Sequence, residues 1–148
     1  MNDSVERTAV LETIGGALVA TARQHRSIVA HKMADLGIFP GQEFMLLELR
    51  EQGRMSPSAL SAALKIEPPT VTKMVRRLSA KGLVERTKDP TDGRAVRVGL
   101  TPLGEDLCAK TEELWTEAEA QMTQGFSERE RFEAKDLLQR MFDNLLRG

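Results

Sequence analysis

The 148 residues contain one cysteine, Cys108, so no disulfide can close within the chain. Its two histidines, His25 and His31, lie six positions apart and off any single helical face, which argues against a shared metal. A phosphate-binding glycine loop, a nucleophile elbow and a His-Glu metal helix are all missing, and Gly15-Gly16 lacks the residues that would complete a dinucleotide fingerprint. These absences argue against the common hydrolytic, nucleotide-dependent and metal-dependent chemistries, so the expectation is no catalytic residue, no cofactor and no metal. Every apolar stretch is broken by charge well before the roughly 20 residues that a membrane span needs. The start, Met1-Asn2-Asp3-Ser4-Val5-Glu6, lacks the basic-then-apolar order of a secretory signal. A cytoplasmic protein with no membrane partner is expected.

What is present is a folding composition, 41% apolar and 29% charged, at a length suited to one domain or to a small module carrying long terminal helices. The net charge of −1 conceals a strong segregation. Residues 56–100 carry nine basic and four acidic side chains, +5, whereas residues 101–148 carry six basic and eleven acidic, −5. The basic middle is the part suited to meet phosphates, because neutralising them releases counterions whatever the base sequence.

Hydrophobic spacing gives the elements. Residues 6–33 read as one long helix with Val10, Ile14, Ala17 and Leu18 along it; Gly15-Gly16 must be repaid by close packing or mark a bend. A second helix starts near Pro40 and runs to Gly53. Ser56-Pro57 is an N-cap followed by proline at the first helical position, and it opens a short helix with Leu60 and Leu64. Pro68-Pro69 opens another, in which Val71, Met74, Val75 and Leu78 form one apolar face while Lys73, Arg76 and Arg77 lie off it. Two alternating runs, Leu83–Thr87 and Ala95–Leu100, flank a turn-rich, charged Lys88–Arg94 and predict a β-hairpin. Thr101-Pro102 starts a further long helix, and Ser127 with Glu130 forms a capping box before the last one, striped by Phe132, Leu138, Met141, Phe142, Leu145 and Leu146.

This order predicts a mainly α fold with a small β-hairpin wing (α+β): a winged helix-turn-helix flanked by long dimerisation helices. The helix of about 68–80 suits a B-form major groove, and the hairpin suits the adjoining backbone or minor groove. Pro69, Thr70, Thr72 and Lys73, early in that helix, are placed to meet base edges or phosphates; Arg76 and Arg77, one turn later, meet the backbone or read guanine. Ser56 and Ser58 can donate to a phosphate. Arg86 either touches DNA or braces the hairpin, and Asp92 is read as orienting Arg94 through a salt bridge. Trp115 belongs to a helix interface or lines a ligand pocket, and Cys108 is a passive residue rather than a redox sensor. Two rivals remain open: a protein-interaction module whose basic face is only solvated, and a constitutive architectural DNA binder without an effector.

From Gly41 to Gly104 the sequence resembles the MarR family of bacterial winged-helix regulators, most clearly over Pro68–Arg86 and over Asp89-Pro90-Thr91-Asp92-Gly93-Arg94 through Thr101-Pro102-Leu103-Gly104. The resemblance implies a single domain over 1–148, with a DNA-binding lobe at 36–100 and dimerisation helices at 5–35 and 101–147. It implies a sequence-specific regulator of transcription: a homodimer on a palindromic operator in double-stranded DNA, usually a repressor, with Arg94 in the minor groove supported by Asp92. It also implies release by a small aromatic or phenolic anion in a cleft approached here by Arg23, His25, Phe39, Phe44 and Trp115. The sequence departs from the family at Glu67-Pro68-Pro69, where a small polar cap is usual, and Cys108 does not match the cysteine of the oxidation-sensing branch.

Overall fold

A computed structural model describes residues 9–147. In chain order the elements are α1 (Ile14–Asp35), α2 (Gln42–Gln52), α3 (Pro57–Leu64), α4 (Pro68–Ala80), β1 (Val84–Lys88), β2 (Val96–Leu100), α5 (Pro102–Met122) and α6 (Glu128–Arg147). The mainly helical fold with a hairpin wing is as expected.

Caps decide most boundaries. Ser56 Oγ accepts from the Ala59 N–H at 3.1 Å and Thr101 Oγ1 from the Gly104 N–H at 3.1 Å, each one turn before a proline-led helix settles. The capping box is reciprocal: the Ser127 N–H donates to Glu130 Oε2 at 2.7 Å and the Glu130 N–H donates to Ser127 Oγ at 3.3 Å. The backbone bond from Ser127, and then its hydroxyl, hold the Glu130 carboxyl below its ordinary pKa.

The first helix departs from expectation. Instead of running unbroken through 6–33, of which 6–8 lie outside the described residues, the chain turns at 12–13. Thr13 is extended and its oxygen caps the Gly16 N–H at 2.9 Å. Gly16 then sits against the preceding turn so closely that a Cβ there would lie 2.1 Å from the Val10 carbonyl oxygen. The glycine pair therefore marks a break just ahead of it, and α1 continues past 33 to Asp35. The second helix begins at Gln42 rather than Pro40, because Gly41 takes φ +98° immediately before it.

The core lies where α1 to α5 and the wing meet. Met45, Leu46, Leu60, Val71, Leu78 and Val98 are fully buried there, so α4 is seated on Val71, Val75 and Leu78 as its spacing predicted. The strands pair antiparallel in the register Val84↔Leu100 to Lys88↔Val96. A further rung was not legible from periodicity: Met55 pairs with Val98 through reciprocal backbone bonds of 2.9 and 2.7 Å, which ties the wing to the α2–α3 connection. α6 is different in kind. None of its residues is buried, and Phe132, Phe142, Leu145 and Leu146 are more than half exposed. Among the described residues no helix is long and apolar enough to cross a membrane.

Candidate nucleic-acid interface

With Val71, Val75 and Leu78 turned inward, the 3.6-residue period forces Thr70, Thr72, Lys73, Arg76 and Arg77 outward, and all five are exposed, as is Pro69. The entry of α4 is unusual. Pro68 and Pro69 have no N–H, and those of Thr70 and Val71 are already given to the Glu67 carbonyl at 2.9 and 3.2 Å. Glu67 makes no side-chain cap. This helix start has few backbone donors to offer a phosphate, so its contacts must come from side chains. The Thr72 hydroxyl donates to the Pro68 carbonyl at 3.2 Å, leaving its oxygen to accept from a base or from water.

Arg86, ambiguous in the sequence, turns toward α4. A groove of about 390 Å³ between α4 and β1 is lined by Thr72, Arg76, Ser79, Ala80 and Arg86. Two arginines and two hydroxyl-bearing residues therefore line one concave strip. Ser79 was missed because the apolar pattern of α4 says nothing about which polar positions face the wing. Ser56 and Ser58 sit together at the start of α3, their hydroxyl oxygens 3.1 Å apart, with Ser56 occupied as a cap.

In the wing the expected Asp92–Arg94 salt bridge is corrected. Asp92 Oδ1 accepts the backbone N–H of Arg94 at 3.0 Å, an Asx-type turn that shapes the tip and leaves the guanidinium unpaired. The ion pair is made by Asp89 with Arg97. Asp89 Oδ1 also accepts from the Thr91 N–H at 2.8 Å and the Thr91 hydroxyl at 2.7 Å. These Thr91 bonds first, and then Arg97, hold its carboxyl far below the usual aspartate range. Arg54 completes the brace from outside the wing, reaching Glu85 at 2.5 Å and Thr87 at 3.0 Å across Gly99, where a Cβ would meet its side chain at 2.8 Å. Among the described residues, Lys73, Arg76, Arg77, Arg86 and Arg94 form no salt bridge, whereas Arg54 and Arg97 do.

A depressed carboxylate pKa contributes stability that is present above the unfolded value, about 3.9, and is lost only as pH falls through the folded one. Amide exchange at residues 91–92 is therefore expected to stay slow, after correction for intrinsic rates, from pH 7 down to pH 5. Asp89→Asn is expected to speed it several-fold already at pH 7. Equal protection in the two proteins would show that the tip is held by something else.

The expected effector residues divide. Trp115 on α5 lies with its ring centroid 5.2 Å from His25 on α1 and 6.0 Å from Phe44 on α2. Its Nε1–H is buried without a partner. A groove of about 470 Å³ between α1 and α5 opens at His25, with Thr21, Gln24, Ile28, Gln121 and Met122 along it. Arg23 is exposed and lines no part of it, and Phe39 belongs elsewhere, under the Lys81 ammonium at 5.2 Å. Cys108 is fully buried, and burial pushes its thiol up to about 11.

A helix pair, an exposed basic third helix and a braced two-stranded wing define a winged helix-turn-helix protein. The MarR family model matches residues 40–96. A putative transcriptional regulatory protein for the hcr operon of Thauera aromatica is 30% identical over 106 residues, 72% of this chain and 64% of its own length. The multiple antibiotic resistance protein MarR of Salmonella typhimurium is 32% identical over 63% of this chain and 65% of its own. The chain thus spans just under two thirds of these curated relatives. Among solved structures, a cysteine-to-serine mutant of E. coli MarR in complex with operator DNA superposes with a TM-score of 0.76 at 25% identity, covering 89% of this chain and 96% of that one. Bordetella bronchiseptica BpsR, whose DNA binding is regulated by 6-hydroxynicotinic acid, superposes with 0.76 at 29%, covering 90% and 95%. Residues 40–96 thus match the MarR family model, and the fold is that of the solved MarR structures.

Proposed function

We propose that the protein is a cytoplasmic, sequence-specific transcription regulator that represses by binding a palindromic operator in duplex DNA as a homodimer. The observation that carries this is the concave strip between α4 and β1, lined by Arg76 and Arg86 with Thr72 and Ser79, on the same helix as the exposed Lys73 and Arg77, which form no salt bridge. In this reading residues 36–100 are the DNA-binding lobe, α4 enters the major groove and Arg94 at the wing tip the minor groove. Pro69, Thr70, Thr72 and Lys73 face the bases, Arg76, Arg77 and Arg86 the phosphates, and Ser56 and Ser58 a flanking phosphate. Asp92 supports Arg94 through the tip backbone rather than through its charge.

The test is affinity for the promoter beside its own gene, measured at several salt concentrations. Arg76→Ala is expected to weaken binding about tenfold and to reduce the dependence of log affinity on log salt by about one phosphate contact. Equal affinity of the wild type for the promoter and for scrambled DNA would overturn the reading.

Dimerisation is supported by the bare stripe of α6, a 20-residue helix about 30 Å long by its rise, together with exposed Val10, Leu11 and Ile14. A small aromatic or phenolic anion is the proposed effector. His25 lines the groove between α1 and α5, and Trp115, packed against the His25 ring from outside that lining, carries an unspent N–H donor. Because Trp115 is the chain's one tryptophan, quenching of its fluorescence by an aromatic acid reports on this site directly.

A further inference from the structure

Residues 36–41 carry the chain from α1 into the lobe that holds α4. α1 ends there in a Schellman motif, with the Gly37 N–H bonded to the Ala34 carbonyl at 3.0 Å and the Ile38 N–H to the Met33 carbonyl at 3.2 Å. Gly37 has φ +73°, and Ile38 is buried in the core. The far side of this elbow is fixed by the first residues of α2. Gln42 Oε1 accepts the Phe39 N–H at 3.0 Å, and Glu43 Oε2 the Gly41 N–H at 2.6 Å.

The near side is held by the residue that caps α4. The Lys81 ammonium donates to the Gly37 carbonyl and lies 5.2 Å from the centre of the Phe39 ring. The backbone N–H of Lys81 thus closes the C-terminus of α4 while its side-chain cation reaches the chain just past the C-terminus of α1 and rests on an aromatic face. α4 shares no broad packing face with α1, so this contact is a direct tie between the long helix and the helix with the basic face.

We propose that Lys81 is a positioning residue: by gripping Gly37 and Phe39 it sets the angle between α1 and α4, and with it the separation of the two α4 helices in the dimer. This rests on the DNA-binding reading above. The tie is exposed to solvent, so it biases an angle rather than locking one. It also accounts for Phe39, an exposed aromatic that the groove at His25 does not use.

A lysine that only met a phosphate would change affinity equally at every half-site spacing, so spacing is the readout. The full-length protein would be compared with Lys81→Met, which keeps the stem without the donor, and with Lys81→Arg. The duplexes would carry two selected half-sites set from two base pairs closer to two base pairs further apart. For Lys81→Met we expect a 3- to 10-fold loss at the wild-type optimum, little change at neighbouring spacings, and faster amide exchange in peptides spanning 36–42; Lys81→Arg should restore both. A uniform loss at all spacings, or an unchanged profile, would overturn the proposal. If the wild type selected no duplex at all, the DNA-binding reading would fall by itself. Exchange at 36–42 would still decide the elbow, with no change on Lys81→Met refuting it and a rise upholding the grip.

Discussion

Phe142→Asp, made together with Leu138→Asp, is expected to convert the protein to monomers at micromolar concentration and to lower operator affinity by roughly 10²- to 10⁴-fold. Phe142 and Leu138 are 52% and 49% exposed on one stripe of α6, one turn apart and in line with Leu145. A helix with this much apolar surface and no buried residue of its own has no reason to hold its place in a single chain. In the proposed dimer a second copy supplies the other half of the interface. Two charges in that stripe would have to be desolvated on association, whereas in the monomer they remain in water. The affinity loss follows because two linked lobes bind a two-fold site far more tightly than either alone, while the α4 side chains are untouched. Sedimentation equilibrium gives the oligomeric state. A half-site duplex supplies the control, since its affinity should change by less than threefold. A double variant that stays dimeric and keeps its operator affinity would place the dimer interface elsewhere.

Much of this architecture was legible because the chain announces helix starts chemically. Ser56-Pro57, Thr101-Pro102 and the Ser127–Glu130 box each combine a hydroxyl cap with a fixed φ or a returning carboxylate, and each boundary falls where these residues put it. The break at 12–13 was harder. Apolar residues continue at helical spacing on both sides of it, and the deciding feature is a close approach between Gly16 and the Val10 carbonyl, which periodicity does not encode. The Met55–Val98 rung was invisible for a related reason: one paired residue has no period.

In the candidate site, residue type was legible but allegiance was not. Arg86 and Arg97 are both strand arginines in a basic hairpin, yet Arg97 is held by Asp89 while Arg86 lines the groove beside Arg76. Only the strand register and the path of the tip separate them. Asp92 was paired with Arg94 because the two are close in sequence. A two-residue offset across a turn favours the backbone N–H over the side chain, and the ion pair spans eight residues instead, from Asp89 to Arg97. Phe39 was assigned to the aromatic cluster by type alone, whereas Gly37 and Gly41, both left-handed, carry it toward Lys81.

Gly104→Val is expected to be strongly destabilising while leaving every basic side chain intact. The first turn of α5 lies directly on the end of β1. A Cβ at Gly104 would sit 2.1 Å from the Leu83 carbonyl oxygen and 3.1 Å from its carbon. Backbone atoms cannot swing aside as a side chain can, so α5 must move. The same carbonyl accepts the Thr101 N–H at 3.1 Å, and the Thr101 hydroxyl donates to the Gly82 carbonyl at 2.5 Å; displacement strains both bonds. A loss of about 3–5 kcal/mol is expected for combined overpacking and broken bonds, which at roughly 2–4 °C per kcal/mol lowers Tm by about 6–20 °C. Gly104→Ala should already show much of this effect, because the clash is at Cβ. Gly93→Ala at the wing tip is the control, since nothing lies within 4 Å of a Cβ there and φ is not left-handed, and its Tm should stay within about 2 °C of the wild type. Should Gly104→Ala melt with the wild type, the seat of α5 on β1 would be looser than this geometry requires. The helix bearing Trp115 would then be free to move without disturbing the wing, and a ligand at Trp115 would have no rigid path through α5 to Arg94.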